Sequence, residues 1–184
     1  ITSIVDDVGT VTGPVTGTNP TNDTRPTLNG TAEANATVRI YDGTTLVGTV
    51  TADANGNWTL PQTSTTLTEG AHNFTATATD AAGNTSPASP ISSITVDVTP
   101  PALPLALAVI TNGTHVTGTA EAGSLITIYQ DGSATPLTTV TADGSGNWSY
   151  TPAALGEGLH TFEVTATLNG QTSGRSPAAS VTVD

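Results

Sequence analysis

The chain of 184 residues sets fifteen acidic side chains against three basic ones, Arg25, Arg39 and Arg175, for a formal charge of −12. So negative a surface excludes nucleic acid as a partner, since phosphate binding needs clustered Lys and Arg. It suits a cation, or a soluble surface in a salty medium. Cysteine is absent, so no disulfide can staple the fold. No apolar run approaches the ~20 residues of a membrane helix, and no direct membrane contact is expected. The chain opens on Ile1 without a signal peptide, and is expected to be a fragment whose export signal lies outside it.

In chain order, the first half reads as strand, turn, strand. Thr, Val and Ile dominate, and polar and apolar residues alternate over 37–41 and 75–79. Period two is the mark of half-buried strands, and β-branched side chains fit a pleat. The text predicts strands A near 10–17, B near 27–33, C near 37–42, D near 46–53, E near 57–61, F near 72–80 and G near 89–97. Asn55-Gly56 and Ser145-Gly146 are hairpin turn signals.

The second half repeats the first. Gly30-Thr31-Ala32-Glu33-Ala34 recurs unchanged as Gly118-Thr119-Ala120-Glu121-Ala122. Val50-Thr51-Ala52-Asp53 with Gly56-Asn57-Trp58 recurs as Val140-Thr141-Ala142-Asp143 with Gly146-Asn147-Trp148. Glu69-Gly70-Ala71-His72 recurs as Glu157-Gly158-Leu159-His160. Between the copies lies Val96-Asp97-Val98-Thr99-Pro100-Pro101, where the Pro pair stops a ladder and forms a short stiff linker. The first strand of the second copy is expected near 103–110. The fold predicted is all-β: two tandem immunoglobulin-like β-sandwich domains of about seven strands, residues 1–98 and 99–184, end to end. The aromatic pairs Tyr41/Tyr129, Trp58/Trp148 and Phe74/Phe162 fall at matching framework positions, which reads as core packing rather than a sugar-binding face.

Nothing in the text points to catalysis. His72 and His160 share one framework position and no cysteine exists to pair with them. There is no His-x-x-x-His motif and no phosphate loop. An enzyme is not expected.

The carboxylates are the candidate chemistry. In a sandwich of this type, Asp6 and Asp7 before strand A, Glu33 in the BC loop, Asp53 in the DE loop and Asp80 opening the FG loop are expected at one pole of the first module. Asp97 is expected to stand where Asp6 stood, joined by Glu121 and Asp143, while Leu168-Asn169 leaves the second FG loop without its acid. Crowded carboxylates repel unless a cation joins them, and oxygen-only ligands select a hard ion such as Ca²⁺. Asp23 and Asp42, in loops at the opposite pole, are outer candidates for the junction of Asp97. The competing reading is that these aspartates only form turns: Asp53-Ala54-Asn55-Gly56-Asn57 is good turn text without a metal.

Three stretches together resemble a known family: Gly30-Thr31-Ala32-Glu33-Ala34-Asn35-Ala36-Thr37-Val38, Ala52-Asp53-Ala54-Asn55-Gly56-Asn57-Trp58, and Ala76-Thr77-Ala78-Thr79-Asp80-Ala81-Ala82-Gly83-Asn84-Thr85-Ser86. They are similar to the bacterial immunoglobulin-like domains of giant RTX-type adhesins, secreted by type I systems to the surface of Gram-negative bacteria. The resemblance implies extender repeats of an extracellular stalk that projects a distal binding domain for adhesion or biofilm formation. It implies Ca²⁺ at domain junctions, held by Asp6, Asp7, Glu33, Asp80, Asp97 and Glu121, with Asp53 and Asp143 as further ligands. The partners expected are calcium ions and neighbouring repeats of a monomeric chain. The alternatives are a module binding a carbohydrate or protein ligand, signalled only by Tyr150 and the 130–136 insertion, and a flat Thr-rich ice- or matrix-binding face.

Overall fold

The structure, a computed structural model, describes residues 1–9, 12–15, 19–110 and 115–183, with backbone alone for 105–110. The chain divides into two units, Ile1–Val98 and Thr99–Asp184.

The first unit contains β1 (Ser3–Asp6), β2 (Gly13–Pro14), β3 (Thr27–Thr31), β4 (Thr37–Asp42), β5 (Thr45–Thr51), β6 (Asn57–Leu60), β7 (Gly70–Thr79) and β8 (Ser92–Val96). They form two four-stranded antiparallel sheets, ordered β2-β1-β3-β6 and β5-β4-β7-β8. Alternation drives the sandwich: β6 buries Trp58 and Leu60 and exposes Asn57 and Thr59, and β4 buries Val38 and Ile40. These side chains meet Leu28, Val47, Phe74, Ile94 and Val96 in one core.

Two sequence expectations are corrected in this unit: the place of the first strand and the hairpin at Asn55-Gly56. The first strand lies at Ser3–Asp6, where Ile4 is buried opposite Leu28, and not over 10–17. Part of 10–17 lies outside the described residues. Within it, Gly13 (φ 130°) and Pro14 limit the pairing to the two residues of β2. The hairpin is decided by the sheet of the fourth strand, which lies with β4, β7 and β8. In the constant-type immunoglobulin arrangement it would join the sheet of the first, second and fifth strands; here β5 pairs with β4. The cause is local. Asp42 pairs with Thr45 across the two-residue turn Gly43-Thr44, with Gly43 at φ 56°, and so tight a hairpin makes consecutive strands neighbours. Consequently the 52–56 turn crosses between sheets and is no hairpin, although Gly56 takes the positive φ (82°) its turn requires.

The second unit contains β9 (Leu105–Ile110), β10 (His115–Thr119), β11 (Leu125–Gln130), β12 (Thr138–Thr141), β13 (Asn147–Tyr150), β14 (Gly158–Leu168), β15 (Gln171–Thr172) and β16 (Ala179–Val183). One sheet is ordered β13-β10-β9; the other is β12-β11-β14-β15, with β16 also on β14. Its core gathers Val116, Ile126, Ile128, Trp148, Phe162 and Val164. Tryptophans and phenylalanines are buried in both units. Tyr41 and Tyr129 are only half-buried, and Arg175 lies 3.8 Å over the Tyr129 ring, so the tyrosine pair is not core.

Register fixes which residues correspond. Ser3 stands opposite Asn29 in the first unit, and Ala108 opposite Thr117 in the second. Asn29 and Thr117 are matching positions of the repeat, so Ala108 is the counterpart of Ser3. Asp97 therefore lies well upstream of the position matching Asp6, and the two are not equivalent.

Candidate functional site

Strand directions define two poles in each unit. The upper pole holds the start of β1 with the turns β3–β4, β5–β6 and β7–β8; the lower pole holds the ends of β1 and β8 and the β4–β5 hairpin. Glu33, Asp53 and Asp80 lie at the upper pole, as their loops dictate. Asp6 and Asp7 do not. Since β1 runs antiparallel to β3, with Val5 opposite Thr27, they fall at the lower pole. The grouping of five acids at one pole is thus replaced by two separate sets.

At the upper pole the aspartates are occupied by their own turns. Asp53 Oδ1 accepts hydrogen bonds from the N–H groups of Asn55 and Asn57, both at 2.8 Å. Asp143 Oδ1 does the same for Ser145 and Asn147 at 2.8 and 2.9 Å. Asp80 accepts from the Asn84 N–H and the Asn84 side-chain amide, both at 2.8 Å. Backbone donation at Asn57 and Asn147 holds Asp53 and Asp143 below the usual carboxylate range, and the Asn84 side chain does so for Asp80. Glu33 and Asp80 flank one groove, described below. Glu121 and Asp143 are exposed at the upper pole of the second unit.

The lower pole of the first unit is built differently. The segment between β1 and β3 crosses to the other sheet, where Thr21 bridges Val96. The Thr21 hydroxyl donates to Asp6 Oδ2 at 2.6 Å, and the Asp97 N–H donates to the Thr21 carbonyl at 2.8 Å. The Asp23 N–H donates to Thr21 Oγ1 at 3.0 Å, and Asp23 Oδ1 accepts from the Arg25 N–H at 2.7 Å. Asp6 and Asp23 are 6% and 1% exposed. Burial raises the pKa of Asp23; backbone hydrogen bonds oppose this, and the charges of Asp6 and Asp7 add to it. The one guanidinium nearby, that of Arg25, gives Nε and Nη2 to the Thr63 carbonyl instead. Two buried carboxylates therefore stand together with Asp7 and no cation in an ion pair with them among the described residues. Asp23, an outer candidate in the sequence, belongs with Asp6 and Asp7.

These donors are all oxygen, which suits Ca²⁺. Their grouping does not preform a site: among the described residues no three His, Asp or Glu side chains are placed to share a metal ion. Nor, among those residues, is there a helix long and apolar enough to cross a membrane.

The sequence missed one constellation, present in both units. His72 Nδ1 meets Asp42 Oδ2 at 2.6 Å and His72 Nε2 meets the Thr68 carbonyl at 2.8 Å. His160 meets Asp131 Oδ2 and the Gly156 carbonyl, each at 3.0 Å. The signal was available: an Asp-Gly turn followed 30 or 29 residues later by the repeated histidine.

The fold and its paired poles define a tandem of immunoglobulin-like modules, and comparison with known proteins specifies the kind. Residues 2–98 match the family described as bacterial Ig-like domain, and residues 100–184 match that described as bacterial Ig domain. The chain belongs to the bacterial Ig-like domains. Among solved structures it is similar to the Ca²⁺-stabilized adhesin with which an Antarctic bacterium binds ice, at 24% identity and TM-score 0.47, covering 88% of this chain and 44% of that one. It is also similar to the BSP domain of a biofilm-associated protein, at 20% identity and TM-score 0.40, covering 89% and 28%. The FN1–FN3 domains of chicken CNTN1 align at 12% identity and TM-score 0.53, covering 98% and 66%, a likeness of fold alone. This chain spans less than half the length of either bacterial structure. A search of curated proteins returned no match.

Proposed function

We propose that these modules are extender repeats of a bacterial cell-surface adhesin, exported by a type I system, with a mechanical and non-catalytic role. The observation that carries this reading is the tandem itself: two bacterial Ig-like domains joined by a short Pro-containing linker, Thr99-Pro100-Pro101. Each module offers length cheaply, since β7 runs ten residues, about 33 Å at ~3.3 Å per residue. A chain of such modules gains reach in proportion to their number only if the joints are stiff.

Calcium would supply that stiffness. Asp6, Asp7, Asp23 and Asp97 lie on the side from which the first module runs into the linker, and Glu121 and Asp143 at the pole where the second begins. An ion shared among such oxygens would offset their repulsion and resist bending. A dissociation constant of ~10⁻⁴–10⁻³ M would suffice outside a cell. Small-angle scattering of the whole chain with Ca²⁺ and with chelator tests this: the maximum dimension and melting temperature should both fall on chelation. If neither changes, the carboxylates serve their turns and the calcium reading fails.

A further inference from the structure

The first unit has a groove of about 490 Å³ at its upper pole, lined by Ile1, Trp58, Ala76, Ala78, Pro87 and Ser89 among others. One wall is the chain after β7. There the Ser86 and Ser89 N–H groups donate to the carbonyls of Ala78 and Ala76, and each serine Oγ accepts from the N–H of the same residue. The second unit repeats this wall: Ser173 and Ser176 make the same paired bonds to Ala166 and Val164. Pro87 and Gly174 each follow the first serine, so they are counterparts.

In the second unit the chain before β9 reaches that wall. The Leu103 side chain lies 3.4 Å from where a Cβ on Gly174 would sit, and Pro101 and Pro104 are buried. Ser3 opposite Asn29 sets Ile1 against Thr31, and Leu105 stands opposite the matching Thr119, so Leu105 matches Ile1 and Pro101–Pro104 is the run leading directly into the first strand. The cavity beside Trp148 in the second unit has no residue of the 173–176 wall in its lining.

We propose that the groove of the first unit is the docking site for a proline-containing apolar run leading into β1, the counterpart of Pro101–Pro104, delivered as the linker from a preceding copy of the repeat. Proline suits the role: it arrives already extended and has no N–H to leave unsatisfied against an apolar wall. Docking fixes the direction in which a linker enters a module, a constraint on the joint that needs no ion. The identity of the occupant rests on the tandem-array reading; the groove's preference does not.

The test places Thr-Pro-Pro-Ala-Leu-Pro, the sequence of 99–104, directly before Ile1 in the full chain, beside a Gly/Ser hexapeptide control. The proline-containing version should move the Trp58 indole and Ala78 resonances and raise the first unit's melting temperature by about 4 °C or more, the shift of ~1 kcal/mol in a domain of this size. The control should do neither. Identical behaviour of the two extensions overturns the proposal, whatever scattering says about calcium. In the native chain, Leu103→Ser should lower the second unit's transition and leave the first unchanged; no change removes the basis for assigning the occupant.

Discussion

His72 and Asp42 lock the start of β7 to the end of β4, and they do so in a way only a protonated imidazole satisfies. The ring faces a carboxylate oxygen at 2.6 Å on one nitrogen and a carbonyl at 2.8 Å on the other. Neither can donate, so a neutral ring with its single N–H would leave one unmatched. The same clamp recurs at His160, Asp131 and Gly156. Burial opposes the charge on His72, but the hydrogen bonds it donates to Asp42 and Thr68 outweigh it and its pKa is raised. For His160 the Asp131 hydrogen bond leads and the direction is the same. The clamp in turn holds Asp131 at about 2.

The pH dependence follows. A raised histidine pKa stabilises the fold fully below the ordinary value of ~6.5 and loses its effect as pH rises through the native value. The Asp131 contribution is present above ~3.8 and lost as pH falls through about 2. Melting temperature should therefore decline between pH 6 and 9. The double variant His72→Gln/His160→Gln should be flat across that range, as followed by calorimetry. A flat wild-type profile would mean the clamps contribute nothing to stability.

Trp58 lies across Gly30, and only glycine leaves it room: a Cβ there would stand 2.2 Å from Cζ2. Gly118 and Trp148 repeat the contact at 2.6 Å. Gly30→Ala should destabilise the first unit by about 1–3 kcal/mol through overpacking, and Trp58→Ala by about 3–5 kcal/mol through the cavity it leaves. Urea unfolding followed by the fluorescence of Trp148 and Trp58 separates the two units' responses.

Asp23→Asn separates the calcium reading from a purely structural one. A carboxylate whose native pKa is raised destabilises the fold once ionised, so in chelator the variant should melt higher than wild type at pH 7, and the gap should close toward pH 3. In Ca²⁺ the order should reverse, because the wild type gains an ion that the amide binds less well. Equal calcium responses would remove Asp23 from the ligand set.

Ser176 replaces a strand pairing with its own side chain, accepting the buried Val164 N–H at 3.1 Å. Ser176→Ala should cost about 1–3 kcal/mol, the range for a buried donor left without an acceptor. Ser89→Ala makes the matching change, removing the acceptor of the Ala76 N–H, at a half-buried residue, where water can replace the hydroxyl, and should cost less. Chemical denaturation of both variants ranks them.

The sequence by itself determined the repeat, the all-β texture and the tryptophan and phenylalanine core, because alternation and framework spacing are local properties that survive translation into structure. It also placed Glu33, Asp53 and Asp80 at one pole, since each sits in a turn between strands it could identify. Only the tertiary structure decided where the first strand lies. Ser3-Ile4-Val5-Asp6 does not alternate as the text over 10–17 does, and what selects it is the pairing of Ile4 with Leu28 over the core. That choice carries Asp6 and Asp7 to the opposite pole, beside Asp23, and denies Asp97 its apparent equivalence to Asp6. The His72–Asp42 clamp was hidden for the same reason: it joins residues 30 apart, and nothing short of the β4–β7 register, with Asp42 opposite Phe74, brings a hairpin turn and a strand end within one hydrogen bond.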